Sequence, residues 1–559
     1  MQLLSLLSGP LAFVVLLAVL IFVHELGHFW VAKACGVKVL KFSIGFGPSI
    51  FSFKRGETEY RLAWLPLGGY VKMAGEVPGE DIVPEDIPRS FQNQVWWKRA
   101  AIVVAGPVFN LVFPVIVFFF VLLGASQATV PKIGSVEPGL PAAEAKLRPG
   151  DVLLKVDDAN VRTFEELRRL LGPRYGQQVR LTVKRGEEVF VTPLEPKRTV
   201  ESNPIETVSR GMIGITAEAR PAIVGVPEGS PAQQAGLQTF DRIVALNGEP
   251  VKDEVDLEKR LSAATGSLQV EVQRRDANNT ATPLKVTLVV PRQEGSGYAA
   301  LGAERADAYI HQVVPGSAAA GVGLQKGDRI VALDGQPIPS FLILSLALSE
   351  QGEKPFRLTW RRGAEEKTAD LKLTRVARQD DMGSGATQLI LGANPRIPLP
   401  GEVSEPEQLT IVRGPMDALR ESLRIVPEII HKTVLAIASL FTGKVPFKTV
   451  GGPILLYQLA SKSAEQGVEQ FVNLMAVISI NLGLMNLLPV PVLDGFALLV
   501  ALWDGLVLLL SRIGLVRLLS KIGIGVGPIP NRAREIANGI GLAMLLVLMV
   551  MVFKNDLTR

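Results

Sequence analysis

Cysteine is almost missing from this chain: Cys35 stands alone among 559 residues. No intrachain disulfide can form, which excludes a disulfide-rich secreted scaffold and any cysteine-based zinc cluster. Aromatic residues make up only 6% and histidine occurs four times. No Lys/Arg block is long enough to grip a phosphate backbone, so the net charge of +5 implies no nucleic-acid partner. Charge is absent altogether from Met1–Val23, Ala100–Val130 and Phe471–Leu493. The first of these runs has no basic n-region and no small-residue cleavage site after it, so it is read as a retained segment rather than a signal peptide.

What is present is apolar surface in long runs, with a mean hydropathy of +0.28 over the whole chain. A helix needs roughly 20 mainly apolar residues to cross a bilayer. Four segments qualify: Leu4–Trp30, one within Ala100–Val130, Phe471–Leu493 and Ile536–Phe553. Lys33, Lys38 and Lys41 follow the first, and Lys98 and Arg99 precede the second. Arg512, Arg517, Lys521, Arg532 and Arg534 separate the third from the fourth. Basic residues collect on the cytoplasmic side. Both termini and residues 131–470 are therefore expected on the outer face, which is the periplasm in a bacterium with two membranes.

The middle of the chain repeats itself. "EPGLPAAEAKLRPGDVLLKVDDANV" begins at Glu137, "PEGSPAQQAGLQTFDRIVALNGEPV" at Pro227 and "VPGSAAAGVGLQKGDRIVALDGQPI" at Val314. Gly139, Gly229 and Gly316 correspond, as do Asp151, Asp241 and Asp328. Later in each unit comes an apolar-Gly-apolar turn at Gly214, Gly302 and Gly392. A period near 90 residues fits a small domain used three times rather than a solenoid. The pattern predicts a short helix, a strand and an Asn-Gly or Asp-Gly turn, and it resembles the bacterial PDZ domain. That resemblance implies a groove beside each glycine turn where a peptide adds as a strand, the alternative being that a copy is a spacer that binds nothing. The expected divisions are 1–130, 131–218, 219–305, 306–398, 399–470 and 471–559. Within 399–470, Leu419, Leu423, Val426, Ile430, Val434 and Ile437 recur at helical spacing over Met416–Gly443. This predicts an amphipathic helix bent at Pro427, lying on the membrane or against the soluble domains.

At the end of the first apolar run stands "FVHELGHFW". His24-Glu25-Leu26-Gly27-His28 is an H-E-x-x-H pattern, and two histidines four apart share one helix face and can reach one zinc ion. Glu25 has the place of a general base. A catalytic zinc needs a third protein ligand. His311, His431 or any carboxylate could supply it in principle, but both histidines fall outside the membrane segments. Asp494, in "NLLPVPVLDGF" at the end of the third run, is better placed. Ionisable groups at such depth are costly unless paired, and a shared metal pairs them.

Together the H-E-x-x-H in the first span, the PDZ-like repeats and N-x-x-P-x-P-x-x-D-G in the third span resemble the site-2 protease family of intramembrane zinc metalloproteases, in its RseP-type group. The likeness spans essentially the whole chain. It implies a polytopic α-helical membrane protein of four spans with a membrane-associated β-hairpin and a periplasmic PDZ-like tandem. The implied home is the bacterial inner membrane, with the zinc site towards the cytoplasmic side. His24, His28 and Asp494 would bind Zn2+, with Glu25 as base. Asn481 and Asn486, in N-L-G-L-M-N, would hold the substrate backbone, or would bond between helices. "EYRLAWLPLGGYVKMAG" (Glu59–Gly75), with a turn at Gly68-Gly69, would be the hairpin that pairs with substrate. Implied substrates are single-span membrane proteins, such as anti-sigma factors trimmed on their outer side, or signal-peptide remnants. Asn110 in "AGPVFN" also matches the family and is read as helix packing. The chain departs from the family's Asp-Gly-Gly-His with Asp494-Gly495-Phe496-Ala497. It carries three PDZ-like copies where two are usual, and a long loop, "SRIGLVRLLSKIGIGVG", expected as a surface helix. Two rival readings remain from the sequence: a catalytically silent PDZ scaffold, and a zincin acting on soluble chains.

Overall fold

A computed structural model describes residues 9–76, 81–202, 207–275, 284–295, 297–379, 385–399, 401–443, 445–516 and 527–558. The chain divides into two compact units. One comprises Met1–Ser126 with Val412–Arg559, and the other Gln127–Asp381 with Gly385–Ile411.

The first unit opens with helix α1 (Gly9–Ala34). Strands β1 (Val39–Arg55) and β2 (Thr58–Met73) follow, turning at Gly56, and then helix α2 (Trp96–Leu123). A hairpin of Glu59–Gly75 pairing with itself is expected from the sequence, and the structure corrects this. Residues Lys41–Ile44 of β1 pair with both Glu59–Leu62 and Gly69–Lys72. The chain reverses between Leu62 and Gly69, just ahead of the expected turn, and the two halves of β2 flank β1. Gly45 and Gly47 take positive φ (90° and 89°) where β1 bends, a conformation that side chains other than glycine resist. The bent tip leaves Phe46, Ile50, Phe51, Trp64 and Leu65 exposed.

The second unit contains three four-stranded sheets of one topology. The first has the spatial order Ala159–Asn160, Val152–Val156, Val179–Arg185, Glu188–Leu194. The second runs Glu249–Pro250, Arg242–Leu246, Leu268–Arg274, Leu284–Val290, and the third Gln336–Pro337, Arg329–Leu333, Phe356–Arg362, Glu365–Leu371. Each is accompanied by a helix: α3 (Phe164–Leu171), α4 (Glu254–Ala263) and α5 (Phe341–Gln351). Each sheet covers its own buried aliphatic core. The expected turns are present, with Asn247-Gly248 and Asp334-Gly335 both at positive φ.

The three equivalent aspartates are buried, and each is clamped by an arginine 33 or 34 positions later. Arg185 meets Asp151 at 2.7 Å, Arg274 meets Asp241 at 2.6 Å and Arg362 meets Asp328 at 2.7 Å. In each repeat the same arginine donates to a backbone carbonyl of the preceding helix–turn, and the aspartate accepts a backbone N–H. A buried charge is tolerated when paired and fully hydrogen-bonded, so this clamp is part of the repeat's framework. Polar contacts also tie the repeats together. Buried Glu137 accepts from Arg220 and from Ser340, the N-cap residue of α5, and Arg220 pairs with Asp307.

Returning to the first unit, α6 (Pro415–Phe441) is the expected amphipathic helix. Its Val426 joins Phe118 of α2 and Ala476 and Ile480 in one apolar cluster, so part of its apolar stripe packs on helices of its own unit. Leu423 and Val434 of that stripe remain exposed. Next come α7 (Pro453–Gln466), α8 (Val468–Asn486), α9 (Asp494–Arg512) and α10 (Asn531–Leu557). Among the described residues five helices, rather than the expected four, are long and apolar enough to cross a membrane: α1, α2, α8, α9 and α10. The expected third span Phe471–Leu493 is broken after Asn486, because Pro489 and Pro491 lack the N–H a continuing helix needs, and a new helix starts at Asp494. Residues 4–8 of the first expected span, and most of the surface helix expected over Ser511–Gly527, lie outside the described residues.

Candidate metal centre

Helix periodicity places His24 and His28 one turn apart on α1, and their Nε2 atoms lie 3.2 Å from each other. Asp494, the first residue of α9, brings Oδ2 to 3.2 Å from His24 Nε2 and 3.6 Å from His28 Nε2. The described residues hold this one cluster of three or more His, Cys, Asp or Glu side chains with metal-ligand spacing. Four ligands around zinc at roughly 2.0–2.1 Å stand about 3.3 Å apart on the edges of a tetrahedron. The three observed separations match those edges. His311 instead packs edge-on to Phe240 at 4.9 Å in the other unit, and His431 is exposed on α6.

Helix α2 lies directly behind both histidines. The carbonyl of Ile102 is 2.8 Å from His28 Nδ1, which puts the proton of that ring on Nδ1 and leaves Nε2 free as a ligand. The fully buried amide of Asn110 reaches His24 Nδ1 at 3.1 Å. Two glycines permit this approach. A β-carbon on Gly27 would stand 2.4 Å from the Ala105 carbonyl oxygen, and one on Gly106 would stand 2.3 Å from His28 Nε2.

The sheet approaches from the other side. The backbone N–H of Val71 faces the Glu25 carboxylate. A β-carbon on Gly69 would lie 3.0 Å from Glu25 Cγ, while one on Gly68 would strike the Phe46 ring at 2.1 Å. The half of β2 that carries Gly69 thus lies against the glutamate. The two asparagines of α8 differ. Asn486 places Nδ2 3.4 Å from His24 Nε2, beside the three-residue cluster, whereas Asn481 Oδ1 accepts from Thr433 of α6 at 3.0 Å. Gly495 packs on the carbonyls of Leu487 and Leu488, and Ala497 is exposed.

The three glycine turns of the second unit also differ. In the first repeat Gly214 abuts Leu140, and the strand Thr207–Met212 closes on the end of α3, where Gly211 leaves 2.5 Å between a β-carbon and the Leu171 carbonyl. In the second, a 3-10 turn Gly297–Leu301 sits against α4, and the N–H groups of Gly302 and Ala303 donate to Ala299 and Tyr298. In the third, a cavity of about 560 Å³ opens between α5 and the segment Leu389–Pro395, lined by Leu344, Leu348, Leu373, Leu391 and Gly392.

The contact of Asn110 with His24 differs from the helix packing expected of it. The available signal was that Asn110 is the one side chain between Ala100 and Leu123 able to form a hydrogen bond. The arginine clamps have no such signal, since nothing local links residues some 34 positions apart.

The family model described as peptidase family M50 matches residues 12–526. The regulator of sigma-E protease RseP of Escherichia coli K12 is 30% identical over the full length of both chains. Protease RseP of Yersinia pestis is 29% identical over 99% of each. A protein of Ralstonia nicotianae, named by inference a zinc metalloprotease, is 30% identical over 98% of each.

Proposed function

The chain belongs to peptidase family M50, and on that premise we propose that it cleaves peptide bonds inside the membrane-spanning segments of other proteins. It is a zinc-dependent metalloendopeptidase. One observation carries the proposal: three ligand atoms at zinc-edge spacing sit on helices apolar enough to cross a bilayer. A site for soluble substrates has no need of such surroundings, and a silent scaffold has no need of an intact ligand set.

His24, His28 and Asp494 are the proposed zinc ligands. The chemistry such a centre supplies when loaded is Lewis acidity, which polarises a peptide carbonyl and acidifies water. Glu25, one position from a ligand, takes the proton of the attacking water on its carboxylate and passes it to the leaving amine. A substrate helix must unwind first, because its backbone is otherwise satisfied internally. The freed groups find donors and acceptors in the Asn486 amide and in the Gly69–Met73 half of β2, whose register partners lie on one side only. Asn481, bonded to Thr433, then acts by holding α6 to α8 unless substrate displaces that bond.

The exposed aromatic tip of β1 and β2 fits a sheet dipping into lipid. In this reading the enzyme lies in a bacterial inner membrane, with residues 127–411 on the periplasmic side and the centre towards the cytoplasm. The three repeats are PDZ-like modules that restrict entry, and the cavity beside Gly392 gives a peptide a place to dock in the third. The substrate class is single-span proteins already trimmed on the outer side, of the anti-sigma-factor kind, or signal-peptide remnants. The names of the RseP relatives support regulated proteolysis of the first kind.

The test is a reporter span in membranes containing wild-type or Glu25→Gln protein, with bound zinc measured in parallel. The variant should retain zinc and lose cleavage by about 10²–10⁴-fold. Undiminished cutting by the variant sinks the mechanism. Cleavage of soluble chains alone favours an ordinary zincin.

A further inference from the structure

Helix α2 holds the two histidines in different ways, and one of the contacts is chemically incomplete. His28 faces a backbone carbonyl, which only accepts, so its Nδ1 carries the proton. His24 faces the side-chain amide of Asn110, which offers both a donor and an acceptor. That amide is fully buried. The other end of the amide is enclosed without a partner among the described residues, so the contact with the ring is the one that chooses its orientation. An N–H aimed at Nδ1 would force the imidazole proton onto Nε2, the atom 3.2 Å from both Asp494 Oδ2 and His28 Nε2. A ring in that state cannot offer Nε2 to a metal.

The two ends of an amide fill the same space, so hydrogen-bond chemistry decides which one faces the ring. We infer that Asn110 presents Oδ1 to the Nδ1–H of His24, fixing the tautomer and orientation of that ligand as the Ile102 carbonyl does for His28. Asn110 is therefore a positioning residue for the zinc centre rather than a packing residue of the second span. Its backbone is pinned for this role: Ser479 Oγ donates to the Asn110 carbonyl at 2.8 Å, and Gly483 leaves only 3.2 Å between a β-carbon and Asn110 Cβ. The side chain has little freedom to swing away. The inference rests on the zinc reading of the site and adds the partner that reading lacks, since outer hydrogen bonds raise ligand basicity and hold the ring.

The experiment uses purified full-length protein in detergent, stripped by graded chelator, with zinc read by mass spectrometry. Asn110→Leu, which keeps the volume and removes the acceptor, should lose zinc at 10–100-fold lower chelator. Asn110→Asp, which restores an acceptor, should hold zinc near the wild-type level. Nitrogen NMR of the loaded wild-type protein should find the His24 proton on Nδ1, a measurement independent of whether any variant folds. Equal zinc retention by Asn110→Leu and wild type overturns the inference. So does an Asn110→Asp protein as weak as Asn110→Leu, or a His24 protonated on Nε2. A wild-type protein that binds no zinc overturns the zinc reading and this inference together, a result distinct from the other three.

Discussion

Gly106 lies so close to His28 that a β-carbon on the glycine would stand 2.3 Å from Nε2 and 2.8 Å from Cε1 of His24. The smallest possible side chain would therefore intrude on the proposed metal position. Gly106→Ala is expected to displace the imidazole by the order of an ångström and cost about 10²-fold in cleavage. Zinc content should fall with it. Full zinc occupancy with full activity in this variant would mean that α1 and α2 separate more easily than their packing implies.

Gly69 makes the corresponding test on the sheet side. Its β-carbon would meet Ile21 Cγ2 at 2.6 Å, the Ser43 carbonyl at 2.9 Å and Glu25 Cγ at 3.0 Å. Gly69→Ala should shift Glu25 without touching the ligands. The expected result is retained zinc with kcat reduced by about 10-fold or more, since misplacing a catalytic group erodes the benefit of orientation. A variant that loses zinc as well would show that the sheet supports the ligands too.

The cavity of the third repeat predicts selective binding. Leu348→Arg places a charge against an apolar wall and should weaken binding of an extended peptide with an apolar end by 10-fold or more, corresponding to about 1.4 kcal/mol. Cleavage of a reporter span lacking an outer segment should be unchanged. Calorimetry with the peptide and the reporter assay separate the two, and equal peptide binding by wild type and variant would remove the third repeat as a docking site.

Buried Glu254 predicts a pH dependence in the second unit. Burial pushes its carboxyl up to about 7, against the opposing pull of Arg305, which lies 3.2 Å away. Between its ordinary value and pH 7 the folded protein holds a proton that the unfolded chain releases. Stability therefore falls as pH rises through that window, by about 3 kcal/mol in all. Pulse proteolysis across a urea series should give a lower midpoint at pH 8 than at pH 5. Glu254→Gln should flatten the difference, and a variant with the wild-type slope would assign the dependence elsewhere.

The amino-acid sequence by itself determined whatever depends on spacing along one element. A helix puts residues four apart on one face, so the His24–His28 pair could be read directly. Threefold use of one small domain was legible for the same reason, because each copy carries its own turns and apolar alternation. Chain breaks are partly legible: Pro489 and Pro491 mark one, yet the uncharged run up to Leu493 makes Asp494 look like the end of a span. In the structure it begins a new helix, and this start delivers its carboxylate to α1.

Only the tertiary structure decided which distant surfaces meet. Asp494 reaches the histidines across some 470 residues, Asn110 and Ile102 back them from α2, and Gly69 presses on Glu25 from the sheet. The division between the α8 asparagines, one beside the three-residue cluster and one held by Thr433, is likewise a product of helix packing. The physical reason is that local periodicity follows from backbone geometry alone. The approach of two helices instead follows from the summed shape of many side chains, here from glycines that let α1, α2 and the sheet come close enough to share one site.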